Sequence, residues 1–210
     1  MRPSDPEPPA APTRRLSRVD RREQILAAAT EAFARSGYAA TSLNEVAAEA
    51  GISHVILYRH FDSKADLYRA VLNRACTRLA GAVGDLDFTE DSVDALLVAA
   101  IEDPAGFRLL FHRAAREPDF RAEVDEFRHG MQAAAHRELA SIIASPAWAN
   151  WAAALTSVVA TEAIIAWLDA GQPDRDQVSV RIRHAVDGII EAAVAAPDGN
   201  AVGKMATDRL

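Results

Sequence analysis

Between Gly37 and Lys64 the chain repeatedly stops and restarts a helix, and this punctuation limits the fold more than any other feature. A first helix is expected over 19–36, with Ile25, Ala28, Ala29, Ala32 and Phe33 on one face at helical spacing. Gly37 stops it as a glycine just past a helix end does. Ser42 with Glu45 three positions on is a capping box opening a short second helix, whose buried stripe is Leu43, Val46, Ala47 and Ala50. Gly51 ends that helix. Ser53 then caps a third, expected over 54–61, with Leu57 and Phe61 one turn apart and inward. Asp62-Ser63 restarts the chain once more, and Ser63 with Asp66 repeats the box pattern.

Two short helices joined by a tight glycine turn form a helix-turn-helix, in which the first helix braces and the second offers its N-terminal half to base edges. With Leu57 and Phe61 inward, the segment Ser53 to His60 presents His54, Val55, Ile56, Tyr58 and Arg59 outward or sideways. Val55 and Ile56 suit thymine methyls, and His54 and Arg59 can donate to base edges or phosphates. Tyr58 and His60 are suitable phosphate donors. Lys64 and the free N–H groups opening the fourth helix make an anion site, and Thr41 with Ser42 do the same for the second helix.

The net charge of −7 is unusual for a nucleic-acid binder, but it is unevenly spread. Residues 1–64 sum to +1 and residues 65–210 to −8, so the acidity lies away from the helix-turn-helix. Arg14, Arg15, Arg18, Arg21 and Arg22 form a basic run where an N-terminal arm, with five prolines in residues 1–17, meets the first helix. Such a run is a solvated face or a phosphate track.

Beyond residue 65 helical patterns are expected up to Gly84 and near 89–102, 104–116, 118–144, 147–170 and 176–195, with prolines at starts or connections. There is no convincing strand and no repeat, and half the residues are hydrophobic, so the expected class is all-α. The division expected is an arm (1–17), a three-helix head (18–64), a helical body (65–196) and a tail (197–210). A single cysteine, Cys76, and no signal-peptide pattern point to the cytoplasm. No segment approaches about 20 uninterrupted apolar residues, so no membrane partner is expected.

The run Thr41-Ser42-Leu43-Asn44-Glu45-Val46-Ala47, then Ala50-Gly51-Ile52-Ser53, then Leu57-Tyr58-Arg59-His60-Phe61-Asp62-Ser63-Lys64-Ala65-Asp66-Leu67, resembles the DNA-binding head of the TetR/AcrR family of regulators. Ile25 to Ala29 and Phe33 through Gly37 are similar to that family's first helix. The resemblance implies a homodimer that usually represses transcription, a pseudo-palindromic double-stranded DNA operator, and a small-molecule effector pocket in the C-terminal body. By position it assigns DNA contacts to Ser42 and Asn44, to Ser53, His54, Val55, Ile56, Tyr58, Arg59 and His60, and to Lys64. Val55 and Ile56 depart from the small or polar residues common there, which bears on the operator sequence.

Candidate pocket residues are Phe107, Phe111, Phe127, Met131, Trp151, Glu162 and Trp167, which point to an apolar or aromatic effector. Leu155, Val158 and Val159 on one late helix, with Ile182, Val186, Ile189 and Ile190 on the last, spread over a wide arc. A four-helix dimer interface and a buried core helix both explain that breadth; the resemblance favours the dimer. No Gly-rich phosphate loop, HExxH or paired ligand cluster suggests an enzyme, a cofactor or a metal, and His129 and His136 read as surface residues. The rival class is a helical ligand-binding or interaction protein without DNA binding.

Overall fold

The computed structural model describes residues 16–84 and 91–195. Arg14, Arg15, most of the expected arm, the start of the helix expected at 89 and the 197–210 tail lie outside the described residues. Among those described, every regular element is helical: α1 (Arg18–Ala40), α2 (Leu43–Glu49), α3 (His54–Tyr58), α4 (Lys64–Val83), α5 (Ser92–Glu102), α6 (Pro104–Arg108), α7 (Arg121–Ile142), α8 (Pro146–Asp169) and α9 (Arg175–Val194). The helix expected over 104–116 is broken into three kinds of turn. After α6 the backbone widens into a π turn over Leu109–Arg113 and then tightens into a 3-10 turn over Ala114–Arg116.

α1 buries Ile25, Leu26, Ala29, Ala32 and Phe33, close to the stripe expected from its spacing. It runs to Ala40 only through a kink at Gly37, whose φ of 79° belongs to the left-handed region that glycine enters without steric cost. Beyond the kink Tyr38 joins Phe33, Tyr68 and Phe120 in a ring cluster, with Tyr38–Phe120 centroids 4.7 Å apart and Phe33–Tyr68 4.8 Å. This cluster joins α1 and α4 to the 3-10 turn Pro118–Phe120 that opens α7. One apolar core runs from Ile25 in α1 to Val186 in α9, so head and body are continuous through α4.

Two further contacts tie the body to α1. Arg74 and Arg78 of α4 both reach Glu23 Oε1, at 2.7 and 2.8 Å, and Arg78 also meets Asp103, which caps α6. Arg113, at the end of the π turn, donates to the Ala34 and Arg35 carbonyls at 3.2 and 3.1 Å.

α8 is interrupted by Asn150, Thr156, Ser157, Thr161 and Glu162, as the absence of an uninterrupted apolar run requires, but it is apolar on average. Over its 24 residues it is long and apolar enough to cross a membrane. Half of its most apolar stretch is buried against the rest of the chain, as in a core helix. Ala149, Ala152, Ala153 and Ala160 let neighbouring helices approach closely, and the buried Thr156 and Thr161 hydroxyls donate to backbone carbonyls one turn back.

Candidate nucleic-acid interface

The two short helices are closed by their own side chains. Ser42 Oγ accepts from the Glu45 N–H, and the Glu45 carboxylate accepts from the Ser42 N–H at 2.6 Å. That backbone bond, followed by the one with the Ser42 side chain, holds the Glu45 carboxyl below its ordinary range. At Gly51 φ is 62°, which turns the chain sharply into α3. Ser53 Oγ caps α3 by accepting from the Ile56 N–H. Gln24 of α1 donates to the Ala50 carbonyl at 2.7 Å, fixing the end of α2 against α1.

α3 is shorter than expected, because helical geometry stops at Tyr58 and Arg59 begins a turn. Its inward side is nonetheless the one read from spacing: Leu57 is fully buried and Phe61 nearly so. On the outward side Val55 is 64% exposed and Tyr58 47%, with Arg59 also exposed. His54 is half-buried and stands edge-on to the Tyr58 ring, with centroids 4.6 Å apart. Ile56 is half-buried, so it is less available to a base edge than Val55. Ser42, which caps α2, Asn44 within it and Ser53 on the turn are exposed.

Two expected anion contacts are altered. Thr41 is buried, and its hydroxyl donates to the Gly37 carbonyl at 2.8 Å, so it faces α1 and not solvent. Lys64 is half-buried; its ammonium donates to the Ala39 carbonyl at 3.1 Å and lies 4.6 Å from the Tyr38 ring centre. At the start of α4, Ser63 Oγ already accepts from the Asp66 N–H.

The residues least appreciated in the sequence are on α1. Arg18 and Arg22 are exposed and Arg21 half-buried, on the side of α1 that meets the end of α3. Arg22 stacks on the Phe61 ring at 4.7 Å, and Arg21 donates to Gln24. The half-buried His60 imidazole is pushed below its ordinary value by burial first, then by Arg18, Arg22 and Arg21. Their 18, 21, 22 spacing marked a shared helical face; their convergence on His60 is a tertiary fact.

The candidate pocket and interface residues separate in space. Phe107 and Phe111 are buried and 4.7 Å apart, and Phe127 and Met131 are half-buried against the same core. Phe111 and Met131 line a cleft of about 240 Å³ between α7 and α8, with Arg128, Gln132, Ser157 and Thr161. Trp167 is buried and its indole N–H donates to the Pro173 carbonyl, closing the α8–α9 turn. Trp151 is on the outer surface, 40% exposed, away from that cleft. Glu162 is exposed and pairs with His112 at 2.8 Å. Of the interface candidates, Val158 is exposed and Leu155 and Val159 half-exposed, whereas Ile182 and Val186 point into the subunit core. Ile189 and Ile190 are half-buried against a small cluster formed by α7, α8 and α9. The apolar breadth of α9 therefore has two causes, an inward stripe and a partly open flank.

Comparison with known proteins agrees with this arrangement. Residues 25–71 match the family described as bacterial regulatory proteins, tetR family. The HTH-type transcriptional activator FasR of Mycolicibacterium smegmatis is 40% identical over 119 residues, which is 52% of this chain and 54% of that protein. The HTH-type transcriptional repressor SCO4008 of Streptomyces coelicolor is 28% identical over 185 residues, covering 78% of this chain and 94% of that protein. The match to the first of these thus spans about half of the relative's length. Both relatives are named as transcription regulators. In fold, the chain is similar to a TetR-like transcriptional regulator from Rhodococcus sp. RHA1, with a TM-score of 0.69, 21% identity, and coverage of 85% of this chain and 96% of that one.

Proposed function

We propose that this chain, whose residues 25–71 match the tetR family of bacterial regulatory proteins, is a member of that family and a sequence-specific, cytoplasmic DNA-binding transcription regulator acting as a homodimer. The observation that carries the proposal is the outward face of α3. A solvent-exposed Val55 beside Tyr58 and Arg59, on a helix anchored by Leu57 and Phe61, suits a major groove better than water. In this reading His54, Val55 and Arg59 face bases, with Ile56 at their edge. Ser42, Asn44, Ser53, Tyr58, His60 and Lys64 approach phosphates. Two heads related by a dimer axis would read half-sites about 34–36 Å apart.

The finer proposal is repression relieved by a small apolar or aromatic molecule. Its support is the α7–α8 cleft floored by Phe111, within the π turn whose last residue, Arg113, holds the α1 carbonyls. A molecule that displaces Phe111 would pull on α1 directly. One relative is named an activator and another a repressor, so the direction of control is tested separately from DNA binding.

A fluorescence-anisotropy titration against the DNA upstream of the protein's own gene is the direct test. Binding that weakens steeply with salt and exceeds binding to scrambled DNA is the expected result. No salt-sensitive binding to any upstream fragment would leave the helical ligand-binding alternative standing. A promoter fusion then reads the sign: repression predicts higher output on deletion of the regulator.

A further inference from the structure

We propose that the N-terminal turns of α1 form a second DNA contact, in which Arg18, Arg21 and Arg22 clamp backbone phosphates beside the end of α3. The inference rests on the DNA-binding reading above but concerns residues outside the helix-turn-helix. Three guanidiniums lie on one side of α1, and none has a carboxylate partner within ion-pair distance among the described residues. Arg21 donates to the neutral Gln24 amide, Arg22 stacks on Phe61, and Arg18 has no hydrogen bond or ion pair among the described residues. Nearby acids are already engaged. Asp20 accepts from the Ser17 N–H in the α1 capping box, and Glu23 serves Arg74 and Arg78 on the α4 side.

Several arginines elsewhere in the molecule are neutralised. Arg35, Arg69, Arg74, Arg78, Arg108 and Arg183 each pair with a carboxylate. An arginine surface is left uncompensated where α1 meets the recognition helix, and its field is felt at His60, in the turn that follows α3. Like charges held together cost stability unless an anion joins them. The Arg22–Phe61 stack orients one guanidinium on a residue whose backbone follows α3, so the cluster moves with the base-reading face. A phosphodiester backbone is the anion this geometry fits, because guanidinium binds phosphate oxygens in pairs and several phosphates lie in line along a groove.

The test uses the full chain and compares Arg18→Gln, Arg21→Gln and Arg22→Lys with wild type. Affinity is measured for the upstream fragment and for scrambled DNA across a salt series. Arg18→Gln and Arg21→Gln should each lower the slope of log affinity against log salt by about 0.9 per protomer bound. Both should weaken the two DNAs equally, because phosphate contacts carry no base information. Arg22→Lys keeps the charge and should retain the slope. Wild-type slopes in both glutamine variants, with specific binding intact, would overturn the clamp and leave the regulator reading in place. Absence of specific binding in wild type would instead defeat the regulator reading. Circular dichroism melts of each variant separate a lost contact from a lost fold: a slope decrease in a variant that melts as wild type supports the clamp.

Discussion

Single side chains at this interface have linked duties, and His60 shows how. Its imidazole is half-buried and faces three guanidiniums, so the folded head holds it below the ordinary 6.5. In the unfolded chain the same ring titrates near that ordinary value. As pH falls below it, the unfolded state takes up a proton first, so this residue's contribution to stability is lost towards acid and fully present above it. DNA reverses the preference, because phosphates against the cluster offset the guanidiniums and favour the imidazolium. Binding then takes up a proton, and affinity declines as pH rises through the window from the lowered value upward. Thermal melts should show the head losing stability on mild acidification, while anisotropy should show tighter DNA binding over the same interval. His60→Gln should flatten both trends. Equal pH dependence in wild type and variant would remove His60 as the linked group. A second residue gives a simpler expectation. The Tyr68 hydroxyl is buried in the ring cluster with no hydrogen-bond partner among the described residues, and a buried unmade bond costs about 1–3 kcal/mol. Tyr68→Phe should therefore leave stability unchanged or raise it by up to about 2 kcal/mol in denaturant unfolding; a loss of that size would mean the hydroxyl is satisfied in solution.

At the scale of elements, the sequence was most informative where structure is local. Ser42–Glu45, Ser53 and Ser63 signalled their helix starts because a cap involves only neighbours along the chain. The inward side of α3 followed from Leu57 and Phe61 for the same reason. What escaped depended on partners far along the chain. The π turn at Leu109–Arg113 is widened in a segment that reaches back to Ala34 and Arg35, and no local pattern announces it. Thr41 read as a groove-facing hydroxyl, yet the kink at Gly37 turns it inward onto a carbonyl. α3 itself supplies a sharp contrast to test. Leu57→Ala removes a fully buried side chain and should cost about 2–5 kcal/mol of stability. Val55→Ala, two residues away and 64% exposed, should change stability by less than about 0.5 kcal/mol. The same variant should lose preference at one base pair of the operator, because its methyls are proposed to meet a thymine methyl. Denaturant midpoints and a panel of single-base operator variants measure the two effects. A Val55→Ala protein with unchanged preference across the panel would place Val55 outside the groove.

For the whole molecule, the unresolved balance is on α8 and α9. α8 is as apolar as a membrane span, but only half of that apolar stretch is covered by its own subunit. Along the uncovered side lie Trp151, Leu155 and Val158, of which Val158 is 46% exposed. On α9, Ala185, Gly188 and Ala192 are exposed at spacings of three and four, so they share one flank. A Cβ added at Gly188 would meet nothing within 4 Å in the subunit. A helix-interior glycine costs roughly 1 kcal/mol relative to alanine, and no contact inside the subunit requires it. In the homodimer proposed above, close approach by a second copy of α9 would supply the reason, with the α8 stripe covered at the same time. The sequence spread its interface candidates over Ile182 and Val186 because composition alone does not separate an inward stripe from an outward one on a helix apolar over a wide arc. The structure divides them, and so the test divides too. Gly188→Arg should convert the dimer to monomer in sedimentation velocity while leaving the helical circular dichroism unchanged. It should also weaken operator binding by one to several orders of magnitude, because two linked heads bind far better than one. Ile182→Asp buries a charge in the subunit core and should lose helical signal and dimer together. A Gly188→Arg protein that sediments as a dimer would show that the partner does not cover this flank.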